Sequence, residues 1–450
     1  MKNKVFLLAA LSITIVILLT WQATKMLPMG SGYVAKSLCS EYFVAGRNDI
    51  ESIWSDIQDI DSVFNWGSYN LDTASGTVSA WFGPGLVETT AIYRKGLGCT
   101  IAAGVPLSDL PPLANYSAVS LVAGRPPAVN IAPNPELETI LDKAFREPTA
   151  ESHRQTRAVI VLHKGQIVAE RYAAGFNQDT PLIGWSMTKS VTNTLIGMLV
   201  GDGVLDLDEP APVPEWQTAG DPRSVITLRQ LLQMSSGLDF QEIYAPGSDA
   251  TNMLFTVPNA AAYAASMPLE HEPGSFWSYS SGTTNILARI VRDSVGGTAE
   301  DVFHFVRTRL YEPLGIGSMV LEPDASGSPV GSSFSYATAR DWARMGEFWL
   351  QEGLWNGEML LPKEWIRWST SPAPAALMGQ YGAQFWLNAG VEGEHLALPD
   401  LPPSMYFAHG FNSQIVAVFP EQEVVIARLG FTTDDSWDDN AFLAAILAAL

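Results

Sequence analysis

The chain is poor in cysteine, in basic residues and in paired histidines, and each shortage closes off a class of function. Two cysteines in 450 residues cannot build a disulfide-rich scaffold or a thiolate-ligated metal site, which need several sulfurs at close spacing. The six histidines are scattered without a paired ligand spacing, so neither a metal nor an organic cofactor is implied. Lysine and arginine number 26 against 47 acidic residues, a formal charge of −21. That balance repels phosphate backbones and anionic lipid headgroups, which makes nucleic acid a poor partner. Internal repeats and low-complexity tracts are also missing, which removes solenoids and arrays.

What remains is a globular composition. Hydrophobic residues make up 47% of the chain, with 14 Trp, 13 Tyr and 19 Phe, enough apolar surface to bury a core. The length suggests two domains. Only one long apolar run exists, Val5 to Trp21, free of charge and preceded by Lys2 and Lys4. It is expected to act as a signal-anchor or as a removed signal peptide. The end of the run, Leu19-Thr20-Trp21-Gln22, lacks the small residues of a cleavage site and favours the anchor. Either way the rest of the chain is expected outside the cytoplasm, in the periplasm or on the extracytoplasmic face, held to the inner membrane by residues 5–21. In an oxidising compartment Cys39 and Cys99 are expected to form one disulfide, two buried thiols being the alternative.

Three regions follow: residues 1–32 as the leader, 33–134 as a small N-terminal module with a linker, and 135–450 as one large domain. In the module, Asp49 to Asp61 places Ile50, Ile53, Trp54 and Ile57 at helical spacing. Thr77 to Phe82 and Leu86 to Tyr93 read as strands joined by Gly83-Pro84-Gly85. Pro106 to Pro133 reads as the linker. In the large domain, Pro135 to Phe145 predicts an amphipathic helix. Ala158 to His163 and Gln166 to Tyr172 predict a hairpin turned by Lys164-Gly165. Helices are expected from Ser186 to about Val200, over Leu228 to Met234 and over Thr283 to Ser294. Strands at Gln414 to Phe419 and Glu423 to Leu429 precede a last helix, Asp439 to Leu450. The expected fold is α+β: an antiparallel sheet flanked by helices, a mostly helical subdomain, and the disulfide-bearing N-terminal module.

The chemistry starts at Ser186-Met187-Thr188-Lys189, the only Ser-x-x-Lys in the chain. Residues i and i+3 share a helix face, so the hydroxyl and the amine come within hydrogen-bond reach. An uncharged amine there activates the serine as a nucleophile. A second stretch, Pro273-Gly274-Ser275-Phe276-Trp277-Ser278-Tyr279-Ser280-Ser281, holds a tyrosine after a tight turn, and a phenol near a lysine relays protons. A third, Ala408-His409-Gly410-Phe411-Asn412-Ser413-Gln414, places a glycine on the edge of a strand, where a substrate lies close to the backbone.

Together these segments resemble the serine β-lactamase and penicillin-binding-protein superfamily, in particular its class C-like hydrolases and the 6-aminohexanoate-dimer hydrolases. Ile226 to Leu238 and Leu310 to Gly315 add to the likeness, which covers about residues 135–450. The resemblance implies that Ser186 is acylated, that Lys189 is its general base and that Tyr279 passes the proton to the leaving group. It implies an oxyanion hole from the backbone N–H groups of Ser186 and Phe411. Tyr244, Ser281, His409 and Gly410 are its candidate substrate-binding residues. Two departures matter. Ser281 stands where the family more often has asparagine. The Lys-Thr-Gly of many members is absent, and no lysine follows Lys363, so an anionic β-lactam loses a charge-assisted hydrogen bond of about 1.5–3 kcal/mol. The expectation is an exported serine hydrolase for small esters or amides. A β-lactamase, a D,D-peptidase and a catalytically silent envelope binding protein are the alternatives.

Overall fold

The computed structural model describes residues 26–83, 87–110, 128–391 and 393–450. The run Val5 to Trp21, the Pro84-Gly85 turn and most of the Pro106 to Pro133 stretch lie outside the described residues. Among the described residues no helix is long and apolar enough to cross a membrane.

A helix at residues 26–39 (α1) opens the described chain and was not foreseen, since Gly30-Ser31-Gly32 reads as a breaker. The glycines are there for close packing instead. A Cβ on Gly32 would lie 2.2 Å from the Phe255 carbonyl oxygen, so only glycine lets α1 seat against the following domain. Val34, Ala35 and Leu38 are fully buried, and Tyr33 packs on Phe64 and Phe255. Ile50–Ile60 (α2) forms as its periodicity predicts, with the Asp49 carboxylate accepting from Ser52 N–H as its N-cap.

Four antiparallel strands complete the module: β1 (Gly67–Asp72), β2 (Thr77–Phe82), β3 (Val87–Arg94) and β4 (Gly98–Ile101), in that spatial order. Cys39, at the end of α1, is bonded to Cys99 on β4, as expected. The module shares its core with the larger domain: one apolar cluster runs from Val34 and Leu38 through Phe82 to Phe255, Phe334 and Trp185.

The main sheet has seven strands. They are β5 (Ala128–Val129), β6 (Thr156–His163), β7 (Gln166–Tyr172), β8 (Trp386–Leu387), β9 (Tyr406–Gly410), β10 (Gln414–Phe419) and β11 (Val424–Gly430). Their order is β8-β9-β10-β11-β6-β7-β5, antiparallel except for the β5–β7 pair. The β6–β7 hairpin turns at Lys164 and Gly165, both with positive φ, the geometry that matches the twist of a two-residue hairpin.

Both faces of the sheet are covered, which is why β10 and β11 are buried along their whole length. On the outer face, Val159, Val161, Phe407, Ile415 and Ala417 pack against Pro135–Ala144 (α3) and the C-terminal helix Asp439–Ala449. On the inner face, Ile160, Ala408, Val416 and Val425 meet the helical half. That half includes Thr188–Gly201 (α4), Ser281–Val295 (α5) and Ala339–Leu350 (α6). The α+β architecture read from the sequence is the observed one.

Candidate active site

Ser186 stands on a short 3₁₀ turn, Trp185–Met187, that runs directly into α4. The preceding Trp185 has φ 46°, a left-handed backbone that a bulky residue adopts only when its surroundings enforce it, at about 1–3 kcal/mol. Three contacts enforce it. Gly184 N–H donates to Ser335 O at 2.8 Å, and Thr188 Oγ1 donates to Trp185 O at 2.6 Å. The Trp342 ring leaves no room at Gly184, where a Cβ would meet its Cζ2 at 2.2 Å. The turn thereby lifts Ser186 out of the buried run around it and leaves it half-exposed.

Lys189 lies one turn along, 1% exposed. Its Nζ is 3.0 Å from Ser186 Oγ, 2.9 Å from Ser281 Oγ and 3.1 Å from Ser332 O. A neutral amine has two N–H donors and one lone pair. Ser332 O and Ser281 Oγ take the donors, and the lone pair faces the Ser186 hydroxyl. A protonated amine donates to all three, so either charge state keeps every partner. Burial pushes the Lys189 pKa down to about 8, against the pull of the Glu242 carboxylate.

Glu242 was overlooked in the sequence. Its Oε1 accepts from Ser281 Oγ at 2.5 Å and its Oε2 from Ser281 N–H at 2.7 Å. Tyr244 Oη donates to Oε1 at 3.2 Å. The signal was the i, i+2 spacing of Glu242 and Tyr244, which sets both on one side of an extended segment, but a lone carboxylate in a loop carries little weight without its partners. Replacing Glu242 with glutamine withdraws the charge that holds Lys189 protonated. The acid limb of the pH–rate profile is expected to move to lower pH, with about a tenfold loss of kcat/KM on the plateau as a charge-assisted bond weakens. An unmoved limb in a folded E242Q protein contradicts this coupling.

Tyr279 packs its ring between Trp386, at 5.1 Å, and Tyr381, at 5.7 Å, and the Lys189 ammonium lies 4.8 Å from its centroid. Burial first, and Glu242 second, raise its pKa above that of an ordinary phenol, opposed by hydrogen bonding with Ser186 and Trp386. The phenol therefore stays protonated beside Ser186.

Tyr244 remains 44% exposed, stacked on Phe411 at 5.5 Å. Phe411 in turn sets its edge to Trp185 at 5.7 Å. Ser186, Lys189, Tyr279, Ser281, Tyr244 and Phe411 are thus brought together. Gly410 sits beside them, and backbone packing against the Ser186 turn also requires it: a Cβ there would lie 2.2 Å from Gly184 O. His409 is not brought in. Strand alternation turns it, with Phe407, to the outer face, where its Nε2 is 3.3 Å from Asp439 Oδ2.

A buried lysine bonded to a serine one turn back, on the inner face of an antiparallel sheet capped by helices, defines a hydrolase of the β-lactamase fold. The chain belongs to the β-lactamase family, whose model matches residues 141–449. Among curated proteins it is 24% identical over 344 residues to a 6-aminohexanoate-dimer hydrolase of Paenarthrobacter ureafaciens, covering 71% of this chain and 82% of that one. Among solved structures, one titled as a 6-aminohexanoate-dimer hydrolase from Bacillus anthracis superposes with a TM-score of 0.56 at 22% identity, covering 73% of this chain and 88% of that one. A family VIII carboxylesterase does so with a TM-score of 0.54 at 17% identity, covering 71% of this chain and 98% of that one.

Proposed function

We propose that this protein is an exported serine hydrolase that cleaves small ester or amide bonds through an acyl-enzyme on Ser186. The observation that carries this reading is the Lys189 amine, which keeps three partners in both charge states and so takes and returns a proton with little rearrangement. Lys189 removes the Ser186 proton as Oγ attacks the carbonyl carbon. The developing oxyanion is held by the backbone N–H groups of Ser186 and Phe411. The C–O or C–N bond then breaks as Tyr279 gives its proton to the leaving group, and the Lys189 ammonium reprotonates Tyr279. Water, deprotonated by the same amine, attacks the acyl carbon and releases Ser186 with its proton restored.

Three features favour uncharged substrates. The Glu242 carboxylate is bonded to Ser281, itself a partner of Lys189, no lysine follows Lys363, and exposed aromatic rings of Tyr244 and Phe411 lie beside Ser186. The names of the relatives, a 6-aminohexanoate-dimer hydrolase and a carboxylesterase, agree with that class. A panel of p-nitrophenyl butyrate, a linear amide dimer, nitrocefin and a D-Ala-D-Ala peptide tests it. Turnover of the first two is expected, and strong nitrocefin turnover would overturn the substrate class. Residues 5–21 are proposed to anchor the protein on the extracytoplasmic face, which membrane fractionation of the full chain with and without alkaline wash checks.

The neutral amine is the active form. Below a pH of about 8 Lys189 becomes protonated, and kcat/KM should fall about tenfold per pH unit. A profile that stays flat from pH 6 to 9 contradicts Lys189 as the base.

A further inference from the structure

Lys36 and Glu322 form an ion pair that the reaction does not use and that is nearly sealed from solvent, the side chains being 4% and 0% exposed. Lys36 belongs to α1, outside the matched residues 141–449, whereas Glu322 lies inside them. Ser40 Oγ bridges the pair, accepting from Lys36 Nζ at 2.8 Å and donating to Glu322 Oε1 at 2.9 Å. Cys99 N–H donates to the same oxygen at 2.6 Å. A buried carboxylate is tolerated only when its lone pairs are satisfied and its charge is met, and here the N-terminal module supplies all three donors.

Glu322 is also the anchor of the segment that holds Lys189. Its N–H donates to Phe334 O at 2.9 Å, and its carbonyl accepts from Val330 N–H at 3.0 Å. Between those two residues lies Ser332, whose carbonyl takes a Lys189 proton at 3.1 Å. The same segment grips the Ser186 helix elsewhere: Gly331 O accepts from Thr192 Oγ1 at 2.8 Å, and Ser335 Oγ meets Thr188 Oγ1 at 2.6 Å. Lys36 Nζ sits 4.4 Å from the centroid of the Phe334 ring, a cation–π contact. That ring lies 6.0 Å from the Trp185 ring.

From this continuous path we infer that the buried Lys36–Glu322 pair positions the catalytic lysine: α1 fixes, through Glu322 and Phe334, the carbonyl that orients Lys189. The inference rests on the reading of Ser186 and Lys189 as nucleophile and base. Glu322 is a positioning residue, and the N-terminal module is part of the catalytic scaffold of this chain. The groups facing Lys189 are Ser186, Ser281, Tyr279 and Glu242. Those facing Lys36 are Glu322 and Glu41.

The test uses the full chain and the rate of Ser186 labelling by a fluorophosphonate probe, saturated with probe across pH. Glu322→Gln keeps the side-chain volume but leaves Lys36 without its anionic partner. The maximal labelling rate is expected to fall at least tenfold, with the half-saturating probe concentration changed less than twofold. The acid limb should move to lower pH, because a looser Ser332 carbonyl disfavours the Lys189 ammonium, which donates to it. A merely structural pair predicts wild-type rate and wild-type limb in folded protein, and that result overturns the inference. Should Glu322→Gln not fold, Ser40→Ala removes only the bridging hydroxyl. About a threefold slower maximal rate is then expected, and a wild-type rate in the folded variant overturns the inference. A wild-type protein unlabelled at Ser186 overturns the functional reading and this inference together, whereas equal labelling of wild type and Glu322→Gln overturns the inference alone.

Discussion

Ser186→Ala is expected to abolish fluorophosphonate labelling and to lower ester hydrolysis by about 10⁴-fold or more, the scale on which serine hydrolases lose activity when the nucleophile is removed. The reason lies in the local geometry. Among the described residues the other hydroxyl bonded to Lys189 is that of Ser281, which directs its proton to Glu242 at 2.5 Å. Ser281 is thus engaged as a donor elsewhere and cannot replace the lost nucleophile. Folding should be little changed, because Ser186 is half-exposed and the substitution removes a single oxygen. Thermal unfolding therefore serves as the control. Equal labelling of wild type and variant would show that the reactive group lies elsewhere.

The second large effect concerns stability. Replacing Cys39 and Cys99 with alanine opens a loop of sequence separation 60, and the chain-entropy model sets the resulting destabilisation at about 4 kcal/mol. That is roughly a 10³-fold shift toward the unfolded chain. Both sulfurs belong to fully buried residues, so dithiothreitol alone should act slowly on folded protein, after local opening. Urea unfolding of the double variant against oxidised wild type measures the difference. Coincident midpoints with equal slopes would remove the disulfide from any part in stability.

Much of the fold was legible because its signals are local. The β6–β7 hairpin is announced by Lys164-Gly165, α3 by its Pro135 start and apolar stripe, and the last helix by the apolar run that follows Asp439. The unforeseen parts depend on distant partners. Helix α1 contains two glycines that lower helix propensity, and they make sense only beside Phe82 and Phe255. Strand β1 (Gly67-Ser68-Tyr69-Asn70-Leu71-Asp72) is largely polar with no buried residue, and β4, of four residues, is recognisable only by its pairing with β3. At the site, Ser186, Lys189 and Tyr279 were readable because fixed spacing and turn chemistry frame them. Glu242 was not, since its importance comes from Ser281, which is 39 residues away. His409 was misplaced because a motif read as a string ignores strand alternation, which sends neighbouring side chains to opposite faces.

The full valence of Lys189 has a temporal consequence. On the proposed mechanism the lone pair of the resting neutral amine faces the Ser186 hydroxyl, so a stray solvent molecule finds no vacant base to deprotonate it. Only when an acyl group has capped the serine does that lone pair become available. Hydrolytic attack is thereby deferred until there is a bond for water to break.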